Sequence, residues 1–212
     1  MCRCGCRRCR SSLPRGTLLG PSSDGRPVPP FAHRLTLFLS PRVGKSSLAN
    51  SFVNGTFSDS YFPTIETTHS KTIRFRKVHF ATDIVDTAGM DEYSRLSRNA
   101  SLGVQGYVLV FSIASRHSFD QIIQVNKSLI NTLGDSPEVP RVLVGTHKDL
   151  SESRQVKYSD AQRLADSWNV PYLECSSKTG ENVADVFHTL LKEIEKDDGL
   201  LAEAGEGGCD IL

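Results

Sequence analysis

Acidic residues are scarce at the front of this chain: up to Phe57 there is Asp24 and no other, whereas Arg stands at 3, 7, 8, 10, 15, 26, 34 and 42. Such a leader suits a transit peptide, a basic tail or a segment outside the true coding sequence. The imbalance is local. All 212 residues together carry a net charge of +1, which excludes a generally basic nucleic-acid binder, and the 38% hydrophobic content excludes a wholly disordered chain. No apolar run approaches the length of a transmembrane helix, so attachment to a membrane would have to come through a lipid or a surface. Paired cysteines at disulfide-framework or zinc-knuckle spacing are lacking too. The six Cys fall at 2, 4, 6, 9, 175 and 209. The crowded C-x-C-x-C-x-x-C at the N-terminus has no His nearby and leaves zinc binding, acylation and an unstructured tail open. The other two are far apart, which points to a reducing compartment.

From residue 34 the texture changes. Residues 1–33 read as a disordered, Cys/Arg-rich leader, and RLTLFLSPRVGKSSLANSFVN reads as strand, loop and amphipathic helix. FSDSYFPTIETTHS is expected to be a loop, and KTIRFRKVHFATDIVD two strands joined tightly around Lys77. GYVLVFSI is a continuous apolar run, as suits a parallel strand buried on both faces, and RVLVG reads as a further short buried strand. Between and after them the spacing predicts a helix from Ser115 or Ser118 to Leu133, a helix over 159–168, a short strand in VPYLE and a final amphipathic helix over 181–196. Strands alternate with helices. The expected fold is a three-layer α/β domain of the P-loop NTPase type over 34–196, a mostly parallel six-stranded sheet with helices on both faces and ligands at the strand C-termini. Residues 197–212 are expected to form a flexible tail.

Chemistry-bearing residues cluster at those strand ends. Gly44-Lys45-Ser46-Ser47 opens a helix after a strand, where backbone N–H groups can face a phosphate, a Lys can bridge two phosphates and a Ser hydroxyl can ligate magnesium. Asp86-Thr87-Ala88-Gly89 ends a strand, where Asp86 can reach a magnesium shell or merely form a turn. Thr64 in YFPTIE can ligate a metal and release it, or sit in an ordinary turn. Asp149 in Thr146-His147-Lys148-Asp149 can accept from the N1 and N2 donors of guanine or cap a loop. Ser177 in ECSSK can offer its N–H to the guanine O6 or lie in a turn.

In this order, GKSS, YFPTIE, DTAG, THKD and ECSSK resemble the five nucleotide motifs of Ras-superfamily small GTPases, over roughly residues 35–196. SYFPTIETT, VDTAGMDEYS, GYVLVFSIASRHSF and LADSWNVPYLECSSK resemble the Rheb branch in particular. The resemblance implies a GTP/GDP switch that uses Mg2+. Arg42, Val43, Gly44, Lys45, Ser46 and Ser47 would wrap the phosphates, with Ser58 and Tyr61 covering them. Ser46, Thr64 and Asp86 would hold the metal, and Gly89 would sense the γ-phosphate beside Met90. Thr146, His147, Asp149, Ser177 and Lys178 would select and flank guanine. Switch I would span 58–67 and switch II 89–101. The implied partners are the TOR kinase complex, a GTPase-activating protein, a prenyltransferase acting on Cys209 of the terminal Cys-Asp-Ile-Leu, and the cytoplasmic face of endomembranes. A cytosolic pool, a monomeric state and no nucleic-acid partner are also expected.

The chain departs from the family pattern in four places. The Gln that orients the attacking water is Met90, which cannot position it by a strong hydrogen bond, so slow hydrolysis is expected. The guanine motif is Thr-His-Lys-Asp rather than Asn-Lys-x-Asp, so weaker affinity with retained guanine preference is expected, His147 stacking where a Lys stem packs. Leu212 favours geranylgeranyl, although Asp210 is unusual in such a box and AEAGEGG upstream is acidic rather than polybasic. Leu39 stands where the first P-loop Gly belongs, and Pro41 within the loop has no N–H. A misassigned first exon would account for Leu39, Pro41 and the leader together. Besides the switch, a nucleotide-binding pseudo-GTPase adaptor and a Ras-type GTPase with other effectors remain open.

Overall fold

A computed structural model of the chain describes residues 31–39, 43–57, 66–75, 78–87, 103–133 and 139–197. Six strands form one sheet: β1 (Phe31–Leu39), β2 (Glu66–Phe75), β3 (Val78–Thr87), β4 (Gly106–Ser112), β5 (Arg141–Thr146) and β6 (Tyr172–Glu174). Across the sheet they run in the order β2-β3-β1-β4-β5-β6. β2 is antiparallel to β3, and every other neighbouring pair is parallel. The chain therefore works outward from β1 in two directions, and the crevice beyond the carboxyl ends of β1 and β4 is where such sheets hold ligands.

Helices α1 (Lys45–Asn54), α2 (Arg116–Leu133), α3 (Tyr158–Ser167) and α4 (Val183–Asp197) cover the sheet. The continuous apolar run of β4 is buried at every position because both its faces are occupied. Val108 and Val110 point into a core with Leu48 and Phe52 of α1 and Phe187 and Leu190 of α4. Tyr107, Leu109 and Phe111 point the other way, against Phe119 and Ile122 of α2 and Ala161 and Ala165 of α3. Residues two apart on one strand thus serve opposite layers.

Local chemistry sets the helix ends. Ser115 is the N-cap of α2: its Oγ accepts the Ser118 N–H at 3.3 Å, and its carbonyl accepts from Phe119. α1 stops at Gly55, whose N–H bonds the Ser51 carbonyl at 3.0 Å. Asp185 in the first turn of α4 and Lys196 in the last match the helix dipole.

Two boundaries differ from the sequence-based expectation by three residues or more. β1 begins at Phe31, inside the predicted leader, because Phe31, Ala32 and His33 pair with Phe80, Ala81 and Thr82 of β3. Backbone ladder bonds need no apolar periodicity, so side chains alone did not mark this start. Residues 66–70, expected to continue the loop and to close switch I, belong to β2 and pair with 83–87 of β3. β2 lies at the sheet edge with Thr67, Thr68 and Ser70 exposed, and an edge strand facing water tolerates such a polar sequence. Among the described residues no helix is long and apolar enough to cross a membrane. The Cys-rich segment and Cys209 lie outside the described residues.

Candidate functional site

β1 and α1 build one half of the site. Leu39, at the position of the missing P-loop Gly, is the last residue of β1 and pairs with Val110 of β4. Gly44 precedes α1 in the left-handed region, φ 83°, where a side chain would be strained. Its carbonyl accepts from the Leu48 N–H at 2.8 Å, so the helix starts there. No side chain caps α1 and no acidic residue sits in its first turn. The N–H groups and the positive end of the dipole are thereby left to face an anion.

Lys45 and Asp86 are buried beside this helix start, 7% and 1% exposed. Burial pushes the Lys45 ammonium below its ordinary pKa against the attraction of Asp86. Burial pushes Asp86 up, opposed by a hydrogen bond from Ser46 and by the charges of Lys45 and His69. Both charges are costly in this dry setting. Among the described residues Asp86 Oδ1 has no hydrogen-bond partner. A buried carboxylate oxygen without a donor, next to a Ser hydroxyl, is the donor chemistry that a hard cation such as Mg2+ takes up, so these residues fit the metal.

The other half hangs from β5 and β6. Thr146 ends β5 at 2% exposure, and its hydroxyl reaches the Val43 carbonyl at 2.7 Å and the Phe111 carbonyl at 3.0 Å. With one proton it donates to one of them at a time, and the shorter contact joins this strand end to the loop before α1. His147 follows in the left-handed region, φ 62°. A methyl built on Gly44 would stand 3.5 Å from its Cε1, so the imidazole lies over the start of α1. Burial pushes His147 below the ordinary imidazole pKa, and the charge of Asp149 opposes this.

Asp149 stands in the 3-10 turn Lys148–Ser153, where its Oδ1 accepts the Ser176 hydroxyl at 2.6 Å. The Lys148 N–H bonds the Cys175 carbonyl at 3.2 Å, and Lys148 Nζ pairs with Glu181. Ser176 is fully buried, and Ser177 beside it is 9% exposed. Lys178 is exposed on the same loop.

The structure thus brings Val43, Gly44, Lys45, Ser46, Ser47 and Asp86 together at one end of the sheet, and Thr146, His147, Asp149, Ser177 and Lys178 beside them. Arg42, Ser58, Tyr61, Thr64, Gly89 and Met90 lie outside the described residues. Sequence reasoning missed Ser176, the residue that holds Asp149. The signal was its place as the first Ser after Glu174-Cys175, where a hydroxyl rather than an N–H was available.

Comparison with known proteins decides the kinship. The Ras family model matches residues 35–196. The chain belongs to the Ras family. It is 40% identical over 187 residues to the small monomeric GTPase RhbA of Aspergillus fumigatus, covering 88% of this chain and 100% of that protein. It is 41% identical over 170 residues to the GTP-binding protein Rheb of Homo sapiens, covering 80% and 91%. With the Rheb homolog of Drosophila melanogaster it shares 43% over 167 residues, covering 79% and 90%. The Ras family match starts at Leu35 within β1, so the family domain includes part of the strand that leads into the altered P-loop.

Proposed function

We propose that this Rheb-like small GTPase is a GTP/GDP switch that hydrolyses GTP slowly and signals to the TOR kinase complex in growth control. The observation that carries the nucleotide reading is the buried Asp86 oxygen without a donor, set beside Lys45 and Ser46 at an uncapped helix start. N–H groups from Arg42 to Ser47 bind the β-phosphate, and Lys45 bridges β and γ, whose charge offsets the hydration that burial takes from it. Ser46, Thr64 and Asp86 would hold Mg2+, which would supply positive charge against the phosphates. Tyr61 and Ser58 cover the phosphates and Gly89 senses the γ-phosphate. Asp149 accepts from guanine N1 and N2, the Ser177 N–H receives O6, His147 stacks on the base, and Thr146 ties this frame to the loop before α1. Lys178 flanks the base.

Met90 occupies the position that orients water, so turnover depends on Tyr61 and on a GTPase-activating protein. A prenyltransferase attaches a geranylgeranyl group to Cys209, and one such chain with an acidic flank gives reversible residence on endomembranes with a cytosolic pool. The protein acts as a monomer. Purified protein loaded with GTP should release phosphate slowly in single-turnover assays and faster after Met90→Gln. No gain in rate refutes the role given to Met90. The second reading, a pseudo-GTPase adaptor, is favoured by Met90 and by Leu39 ending β1, and bound nucleotide with no turnover in the same assay supports it.

A further inference from the structure

The base-reading residues of this site sit on two segments that make no regular ladder with each other beyond β6: the 3-10 turn with Asp149, and the loop with Cys175, Ser176 and Ser177. Besides the Asp149–Ser176 and Lys148–Cys175 bonds, the two are joined one step back on each. Arg154 directly follows the 3-10 turn, and Glu174 is the last residue of β6. Arg154 Nη1 donates to Glu174 Oε1 at 2.7 Å and Nη2 to Oε2 at 2.8 Å, a two-pronged pair. Tyr172 Oη donates to the same Oε1 at 2.7 Å. The Glu174 carbonyl accepts from Asn182 Nδ2 at 2.8 Å, so the start of α4 is tied to this point as well.

Glu174 is 8% exposed. Burial alone would raise its pKa, yet the hydrogen bonds of Arg154 and Tyr172 hold it below the ordinary value. An ionised, fully bonded carboxylate in such a place has one geometry, because planar guanidinium and planar carboxylate meet edge to edge.

We propose that Arg154, Glu174 and Tyr172 are positioning residues for guanine recognition, setting the distance between the Asp149 turn and the Ser176 loop so that the Asp149 carboxylate reads the 2-amino group of the base. The inference rests on the GTP-binding reading above. GTP and ITP share ribose, phosphates, N1–H and O6 and differ in that 2-amino group, so their affinity ratio isolates this contact. A merely structural role would lower the melting temperature and weaken both nucleotides alike.

Full-length protein should therefore be titrated with GTP and with ITP by competition against a fluorescent GDP analogue, alongside thermal melts. Glu174→Gln keeps shape and one acceptor but loses the charge, and its GTP affinity should fall about tenfold, the worth of one hydrogen bond to a charged group, with a smaller fall for ITP. Tyr172→Phe removes a single bond, so it tests the same point with little risk to folding, and its ratio should move the same way by less. Equal weakening of both nucleotides, an unchanged ratio in both variants, or a wild type that binds GTP and ITP alike overturns the proposal. A wild type that binds neither nucleotide overturns the GTP-binding reading itself. A wild type that prefers GTP, with variants that keep the preference, overturns the positioning role alone.

Discussion

Thr146→Val removes one hydroxyl and little else, since the two side chains have nearly the same shape. In the wild type that hydroxyl donates to the Val43 carbonyl at 2.7 Å, and both residues are 2% exposed. Water therefore cannot replace the lost donor. The relevant magnitude is the penalty for a buried polar group left without its partner, about 1–3 kcal/mol, rather than the smaller net worth of an exchangeable bond. The bond crosses from the base-binding strand end to the loop before α1, so the penalty divides between folding and nucleotide binding. If all of it falls on binding, GTP affinity drops by about 5- to 150-fold. If all of it falls on folding, each kcal/mol lowers the melting temperature by about 2–4 °C for a domain of this size. Dissociation of a fluorescent GDP analogue and thermal melting, measured on wild type, Thr146→Val and Thr146→Ser, separate the two. Thr146→Ser keeps the donor and should behave close to wild type. A Val variant with wild-type melting and wild-type release would refute the claim that this hydroxyl joins the two halves of the site.

Three further outcomes follow from the same geometry. Burial lowers the pKa of His147 below 6.5, so the unfolded chain takes up a proton before the folded one as pH falls. Stability from this residue is present above 6.5 and lost as the solution is acidified toward the lower folded value, and His147→Asn, which tolerates φ 62°, should lose less melting temperature between neutral and mildly acidic buffer. An equal loss in both proteins counts against it. EDTA should speed GTP release from the wild type, whereas Asp86→Asn should release fast with or without EDTA; a variant as EDTA-sensitive as wild type removes Asp86 from the metal shell. A methyl at Gly145 would stand 2.9 Å from Ile113 Cγ2 and from Tyr172 Oη, so Gly145→Ala should cost about 1–3 kcal/mol in denaturant unfolding. An unchanged midpoint would show that those neighbours yield freely.

Most of the architecture could be read from periodicity because the sheet is buried on both faces. Val108 to Phe111 of β4 and Val142 to Val144 of β5 are apolar and buried on both sides, and α4 needs one apolar stripe against β4. Legibility failed where water or backbone, not side-chain burial, sets the element. The polar start of β2 at the sheet edge looks like loop, and the first residues of β1 are held by ladder bonds to β3. In the site, residue types singled out Lys45, Ser46, Asp86 and Asp149, since each carries a charge or hydroxyl at or just after a strand end. They could not name Ser176, Arg154 or Tyr172. These act through one another across the 3-10 turn and β6, and no spacing within a single segment encodes a contact between two segments.

That same cross-segment logic changes how the family departures are counted. Read along the chain, the altered loop before α1 and the Thr-His version of the guanine motif are two separate defects. In space Thr146 bonds Val43 and His147 lies over Gly44, so the substituted residues of one motif touch the residues that follow the changed positions of the other. An amide in place of Thr146 could serve the Val43 and Phe111 carbonyls together, where the hydroxyl serves one. A shorter side chain with one proton needs one carbonyl in place rather than two, and the Val43 carbonyl meets that need at 2.7 Å. The two departures are then coupled through the Thr146–Val43 bond, so a change in one motif is felt in the other.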